Sequence, residues 1–166
     1  MSDTQTDRLQ TNTALAGSGV PPGASGVTVG IDLVEVDRIA QTVARFGQRF
    51  LERVFTQEEL EEGRRRITWF AGRFAAKEAC AKALGTGIGA AVAWRDMQVL
   101  RQASGKPSLR LSGDAAVRAA ALDIAHMDVS ISHTHQYALA VVVALTARSG
   151  TSSAEYLAGV AGHAPL

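Results

Sequence analysis

The sequence holds a single cysteine, Cys80, which excludes an intrachain disulfide and every CxxC-type zinc or iron–sulfur site. Aromatic residues make up only 5% of the chain and the formal net charge is +1. The basic surplus and stacking aromatics of a nucleic-acid binder are therefore missing, and no nucleic-acid partner is expected. The longest apolar run, Tyr137-Ala-Leu-Ala-Val-Val-Val-Ala-Leu145, is far too short to span a bilayer. The start, Met1-Ser-Asp-Thr-Gln-Thr-Asp7, shows no basic segment leading into an apolar one, so no secretory signal is expected. A soluble, cytoplasmic protein without a membrane partner follows.

Hydrophobic residues reach 46% and charged residues 20% of 166 positions, enough for a packed core in one domain. Residues 1–26 are polar and then rich in Gly, Pro and Ser, and read as a flexible N-terminal tail. Residues 148–166 are small and weakly patterned and read as a C-terminal tail. The folded domain is expected over 27–147. It begins with an alternating strand in which Val27, Val29, Ile31 and Leu33 share one face and Thr28, Gly30 and Asp32 the other. Val36, Ile39, Val43 and Phe46 recur at helical spacing, and Thr56-Gln-Glu-Glu59 is a capping box that opens a short charged helix. A long helix follows over 67–84, stopped by Gly85 as the residue beyond its C-terminus. Strands are expected over 94–100 and 108–111 around a Gly105-Lys106-Pro107 turn, then an alanine-rich helix over 114–125. Residues 127–133 and 136–145 read as an antiparallel pair. The fold class is α+β, an antiparallel sheet packed with helices.

Three polar residues break these patterns. Asp32 stands among Val, Ile and Leu in a strand, where aspartate is depleted; ending the strand or capping the next helix is an equally good account of it. Glu78 projects from the apolar stripe formed by Ile67, Phe70, Ala71, Phe74 and Ala81. A solvated pair with Lys82, one turn on, accounts for the lysine but poorly for the stripe. His133 closes Ser130-Ile-Ser-His-Thr134 in phase with Met127, Val129 and Ile131. Histidines so placed are more often structural than ligands, yet Ser132 and Thr134 beside it supply donors suited to an anion. Together with Arg73 and Lys77, these residues suit Mg²⁺ and a polyphosphate. Mg²⁺ takes oxygen ligands and is commonly held by one or two carboxylates with substrate phosphates. Zinc is a poor fit, because no Cys/His cluster accompanies the acids.

Four ordered segments then resemble the holo-acyl-carrier-protein synthases of the 4′-phosphopantetheinyl transferase superfamily. Gly30-Ile-Asp-Leu-Val-Glu-Val-Asp-Arg38 is similar to the family's GxD(I/L)VEixR signature. Arg73-Phe-Ala-Ala-Lys-Glu-Ala-Cys-Ala-Lys-Ala-Leu-Gly-Thr-Gly-Ile88 is similar to its FxxKExxxKAxGTGI segment. Gly105-Lys-Pro107 and Ser130-Ile-Ser-His-Thr134 match the remaining landmarks in order, and the resemblance covers 27–143.

The resemblance implies transfer of 4′-phosphopantetheine from coenzyme A to a serine of an acyl carrier protein of fatty acid or polyketide synthesis, with release of 3′,5′-ADP. It implies Asp32 and Glu78 as Mg²⁺ ligands and Lys82 as a contact of the coenzyme A diphosphate. These three form the catalytic set, with Glu78 also a candidate base. Arg73, Lys77, Gly85, Gly105, Lys106, Pro107, Ser132, His133 and Thr134 would line the coenzyme A pocket. No enzyme nucleophile is needed, in keeping with an isolated Cys80.

Arg38 and Arg45, seven residues apart on the helix after Asp32, lie nearly in register, and Arg49 and Arg53 extend a basic strip unless Gly47 ends the helix first. Such a strip suits docking of an acidic carrier protein; the plainer account is a solvated helix face. The resemblance also implies a homotrimer with sites at subunit interfaces. Two rival readings, a non-catalytic coenzyme A-binding module of the same fold and an oligomeric interaction protein, would not need Asp32, Glu78 and Lys82 together.

Overall fold

The computed structural model describes residues 26–64, 66–89 and 91–147; the two segments expected as tails lie outside the described residues, apart from Gly26. Strand β1 (Val27–Glu35) leads into α1 (Val36–Phe46), α2 (Gln48–Val54), α3 (Gln57–Gly63) and the long α4 (Ile67–Ala83). The hairpin strands β2 (Met97–Arg101) and β3 (Pro107–Leu111) follow a short 3-10 turn at Trp94–Asp96, and α5 (Gly113–Ala121), β4 (Ile124–His133) and β5 (Tyr137–Thr146) complete the order. β1, β5 and β4 form one antiparallel sheet in that order, and β2 and β3 a second. Among the described residues no helix is long and apolar enough to cross a membrane.

Local sequence explains most boundaries. Thr56 caps α3 with the reciprocal bonds of a capping box, its side chain accepting from Glu59 N while the Glu59 carboxylate accepts from Thr56 N. Gly47, with φ 55°, separates α1 from α2, so Arg49 and Arg53 stand on a different helix from Arg38 and Arg45. Asp123, at φ 52°, stops α5 at Ala121 and lets β4 start at Ile124, so the helix is shorter than the alanine run suggests. Residues 94–96, read as strand, are instead the 3-10 turn.

α4 is the hub of the core. Its Phe70, Ala71, Ala75, Ala76, Ala79 and Ala83 are buried, and the alanines let the helix lie close against β1 and β5. The aliphatic face of β1 turns the other way. Val29, Ile31 and Leu33 are 58%, 55% and 61% exposed, while Gly30 and Val34 face the core and Asp32 is half-buried on the same side. In register beside the exposed row stand Val143, Val141 and Leu139 of β5, which therefore share its face.

Candidate functional site

α4 gathers the candidate chemistry on two of its sides. On one side, Lys82 donates to Asp32 Oδ1 at 2.8 Å and to the Ile31 carbonyl at 2.9 Å, so the ammonium is tied to both side chain and backbone of β1. The Lys82 side chain is 49% exposed and that of Asp32 16%, which places the pair at a rim open to a ligand. Glu78 is half-buried beside them. Burial pushes its carboxyl above the ordinary glutamate value, the Asp32 charge pushes it further, and Lys82 and Arg38 oppose the shift. At this half-exposed rim burial and repulsion by Asp32 act on the Glu78 carboxylate more strongly than Lys82 and Arg38 offset them.

That incompletely offset carboxylate is the fit test for a divalent cation. Among the described residues no group of three or more His, Cys, Asp or Glu comes together, so a cation at this rim would have Asp32 and Glu78 as its protein carboxylates. Two carboxylates with room for water and phosphate oxygens match the way Mg²⁺ is held, and the donor set fits.

On the other side, Arg73 lies over the Trp69 ring at 4.3 Å and 3.8 Å from Glu62. Burial holds its pKa below the usual arginine value, against the pull of Glu62 and Glu59. Its Nε is buried without a hydrogen-bond partner, a costly state for a guanidinium unless an acceptor arrives. Arg73, Gly105, Pro107 and His133 line one pocket of about 240 Å³, together with Arg66, Trp69, Arg101 and Ile131. Four of the residues expected around coenzyme A are thus brought together. Arg66, Trp69 and Arg101 were missed. The Arg64-Arg65-Arg66 run was a visible signal for the first, whereas Arg101 is brought in only by the β2–β3 hairpin, with Gly105 close against its guanidinium.

The remaining expected pocket residues lie elsewhere. Lys77 is wholly buried: its ammonium donates to Glu59 Oε2 and the Val54 carbonyl, both at 2.8 Å, and to the Trp94 carbonyl at 3.2 Å. All three donors are used, Glu59 also accepts from Thr56 N and Val99 N, and Lys77 is therefore corrected from ligand contact to interior tie. Lys106 turns from its neighbours Gly105 and Pro107 to pair with Asp128 Oδ2 at 2.6 Å. Ser132 is exposed and in register with Leu139 on the outer sheet face, opposite to the side of His133. Thr134 closes the β4–β5 turn, accepting from Gln136 N and Tyr137 N. Gly85, at φ 69°, ends α4 next to Arg118, which donates to the Leu84 carbonyl at 3.0 Å.

Residues 28–142 match the family model described as "4'-phosphopantetheinyl transferase superfamily". The chain is 47% identical over 125 residues to a holo-[acyl-carrier-protein] synthase of Herpetosiphon aurantiacus, covering 72% of this chain and 98% of the relative. Its structure is similar to that of Helicobacter pylori holo-[acyl-carrier-protein] synthase in complex with coenzyme A, at TM-score 0.65 and 36% identity, covering 70% and 98% of the two chains. It is also similar to a holo-(acyl-carrier-protein) synthase from Bacillus anthracis in complex with CoA (3',5'-ADP), at TM-score 0.62 and 36% identity, covering 75% and 100%.

Proposed function

Because the chain belongs to the 4′-phosphopantetheinyl transferase superfamily, as a holo-acyl-carrier-protein synthase, we propose that it transfers 4′-phosphopantetheine from coenzyme A to a serine of an apo acyl carrier protein with Mg²⁺ bound at Asp32 and Glu78. The observation that carries this reading is the meeting of Asp32 of β1 with Glu78 and Lys82 of α4 at one rim.

The serine oxygen attacks the β-phosphorus of coenzyme A. The bond from that phosphorus to the bridging oxygen breaks, and 3′,5′-ADP leaves with the bridging oxygen. Bound at the two carboxylates, Mg²⁺ would neutralise charge on the diphosphate oxygens. Lys82, already oriented by Asp32 and the Ile31 carbonyl, adds a positive charge beside the same oxygens, and displacement at phosphorus needs such positioning more than covalent help. The serine proton must go to a base, and Glu78, directly or through a water, is the candidate within the cluster. Arg73, Arg66 and Arg101 give the second pocket, which His133 also lines, the charge to take a further phosphate of the same ligand, and the unpartnered Arg73 Nε supports that role.

The two half-sites also support a shared site. Arg73 and Lys82 are nine residues apart on α4, about 900° of helical rotation, which puts them on opposite sides of the helix. One copy presents one half to each neighbour in a closed ring, and the bare aliphatic face of β1 and β5 supplies the contact such a ring needs. We therefore read the protein as a homotrimer with sites between subunits, acting in the cytoplasm on an acidic carrier that docks along Arg38, Arg45 and Arg49. Chromatography of the nucleotides after reaction tests the chemistry: one 3′,5′-ADP should appear per carrier modified, and EDTA should abolish both. Holo carrier formed without 3′,5′-ADP would contradict attack at the β-phosphorus.

A further inference from the structure

Gly30 is the point at which β1 and α4 touch backbone to backbone. A Cβ placed on it would lie 1.8 Å from the Ala79 carbonyl oxygen and 2.8 Å from Ala83 N. Both obstacles are helix backbone, so no side chain can swing aside. To restore even 3.0 Å, the strand would have to lift away from the helix by the difference, 1.2 Å. Conformation does not explain the glycine: Gly30 is absent from the positive-φ glycines and sits in ordinary strand, paired with Val142. Its lack of a side chain serves the contact alone.

The contact adjoins the cluster on both partners. Ala79 follows Glu78 and Ala83 follows Lys82 on α4, and Asp32 stands two residues beyond Gly30 on the same face of β1, roughly 7 Å along the strand. We propose that Gly30 is a positioning residue: by letting β1 rest on the α4 backbone it fixes the Asp32–Glu78 spacing that a divalent cation held by both carboxylates requires. The inference rests on the cation-site reading above. Mg²⁺ demands oxygens at about 2.0–2.1 Å in near-octahedral array, so a strand displaced by more than an ångström takes Asp32 out of reach while Glu78 stays.

The test is Mn²⁺ binding to the full chain, followed by the electron paramagnetic resonance of free Mn²⁺, with and without coenzyme A, on protein shown folded by circular dichroism. Gly30→Ala should weaken Mn²⁺ at least tenfold. Gly72→Ala, which would press only on the Ile131 side chain at 3.0 Å, should leave the affinity unaltered and controls for general packing damage. Asp32→Glu alone should also weaken binding, but added to Gly30→Ala it should recover part of the loss, because the longer side chain spans the widened gap. Unaltered Mn²⁺ affinity in folded Gly30→Ala overturns the proposal while leaving the cation site standing. Should Gly30→Ala not fold, undiminished affinity in Asp32→Glu overturns it instead. Absence of Mn²⁺ binding by the unsubstituted protein overturns the cation site itself, and this inference with it.

Discussion

Lys82 Nζ lies 2.8 Å from Asp32 Oδ1 across fifty residues of sequence, and this pair joins the end of the long helix to the first strand at the rim where Glu78 also stands. The ammonium is half-exposed, so its contribution to stability is modest. Its value is geometric: it holds an ammonium on the Asp32 carboxylate close enough to act on Glu78 as well.

Glu78 should cost the metal-free fold stability. A carboxyl raised above its ordinary value in the folded state binds protons more readily there than unfolded, so stability falls as pH rises from the ordinary value of 4.5 through the raised one. Glu78→Gln should therefore raise the melting temperature in EDTA at pH 7.5, have little effect at pH 4, and abolish transfer. A lower melting temperature at pH 7.5 would contradict the strained pair.

Lys77 predicts the opposite kind of phenotype. Lys77→Met leaves Glu59 without its cation in a wholly buried place, and breaking a buried pair in this way costs about 3–5 kcal/mol. Urea unfolding should register that loss, with coenzyme A affinity of the folded fraction unaltered. Full stability with coenzyme A binding lost would return Lys77 to the pocket.

The shared site predicts complementation. Asp32→Ala and Arg73→Ala should each be inactive, but unfolded and refolded as an equal mixture they should recover about a quarter of the unsubstituted activity, since a closed ring then forms one intact pairing in four. No recovery from a mixture shown to assemble would place both halves in one subunit.

Docking should separate from chemistry. Arg45 stacks over Phe46 at 5.0 Å on the exposed end of α1, away from the carboxylates, so Arg45→Glu should raise the carrier KM, most at low salt. The coenzyme A KM should stay put. An unchanged carrier KM would leave α1 as a solvated face.

Much of this was legible in the sequence because the signals were local. The Thr56 capping box, the Gly85 stop and the antiparallel run after Met127 each depend on a few neighbouring residues, and Asp32 and Glu78 stood out as carboxylates in apolar patterns. What was not legible depended on long-range contact. Lys77 and Lys82 look alike in a KExxxK pattern, yet one meets Glu59 in the interior and the other Asp32 at the rim. The alternation of β1 did not say which of its two faces meets the core; the alanine side of α4 can approach only the Gly30 side of the strand, which turns the aliphatic row outward. Arg101 reaches Arg73 only through the β2–β3 hairpin, whereas Trp69, four residues before Arg73 on α4, was a local signal passed over.

The central claim is that Asp32, Glu78 and Lys82 move phosphopantetheine to a carrier serine. The most direct measurement is the intact mass of an apo acyl carrier protein after incubation with this protein, coenzyme A and Mg²⁺, beside EDTA and Asp32→Ala controls. The account predicts a gain of one phosphopantetheine, about 340 Da, with the unsubstituted protein and Mg²⁺ only, as expected of metal-assisted phosphoryl chemistry. An unmodified carrier despite measurable coenzyme A binding, or full modification by Asp32→Ala, would contradict it.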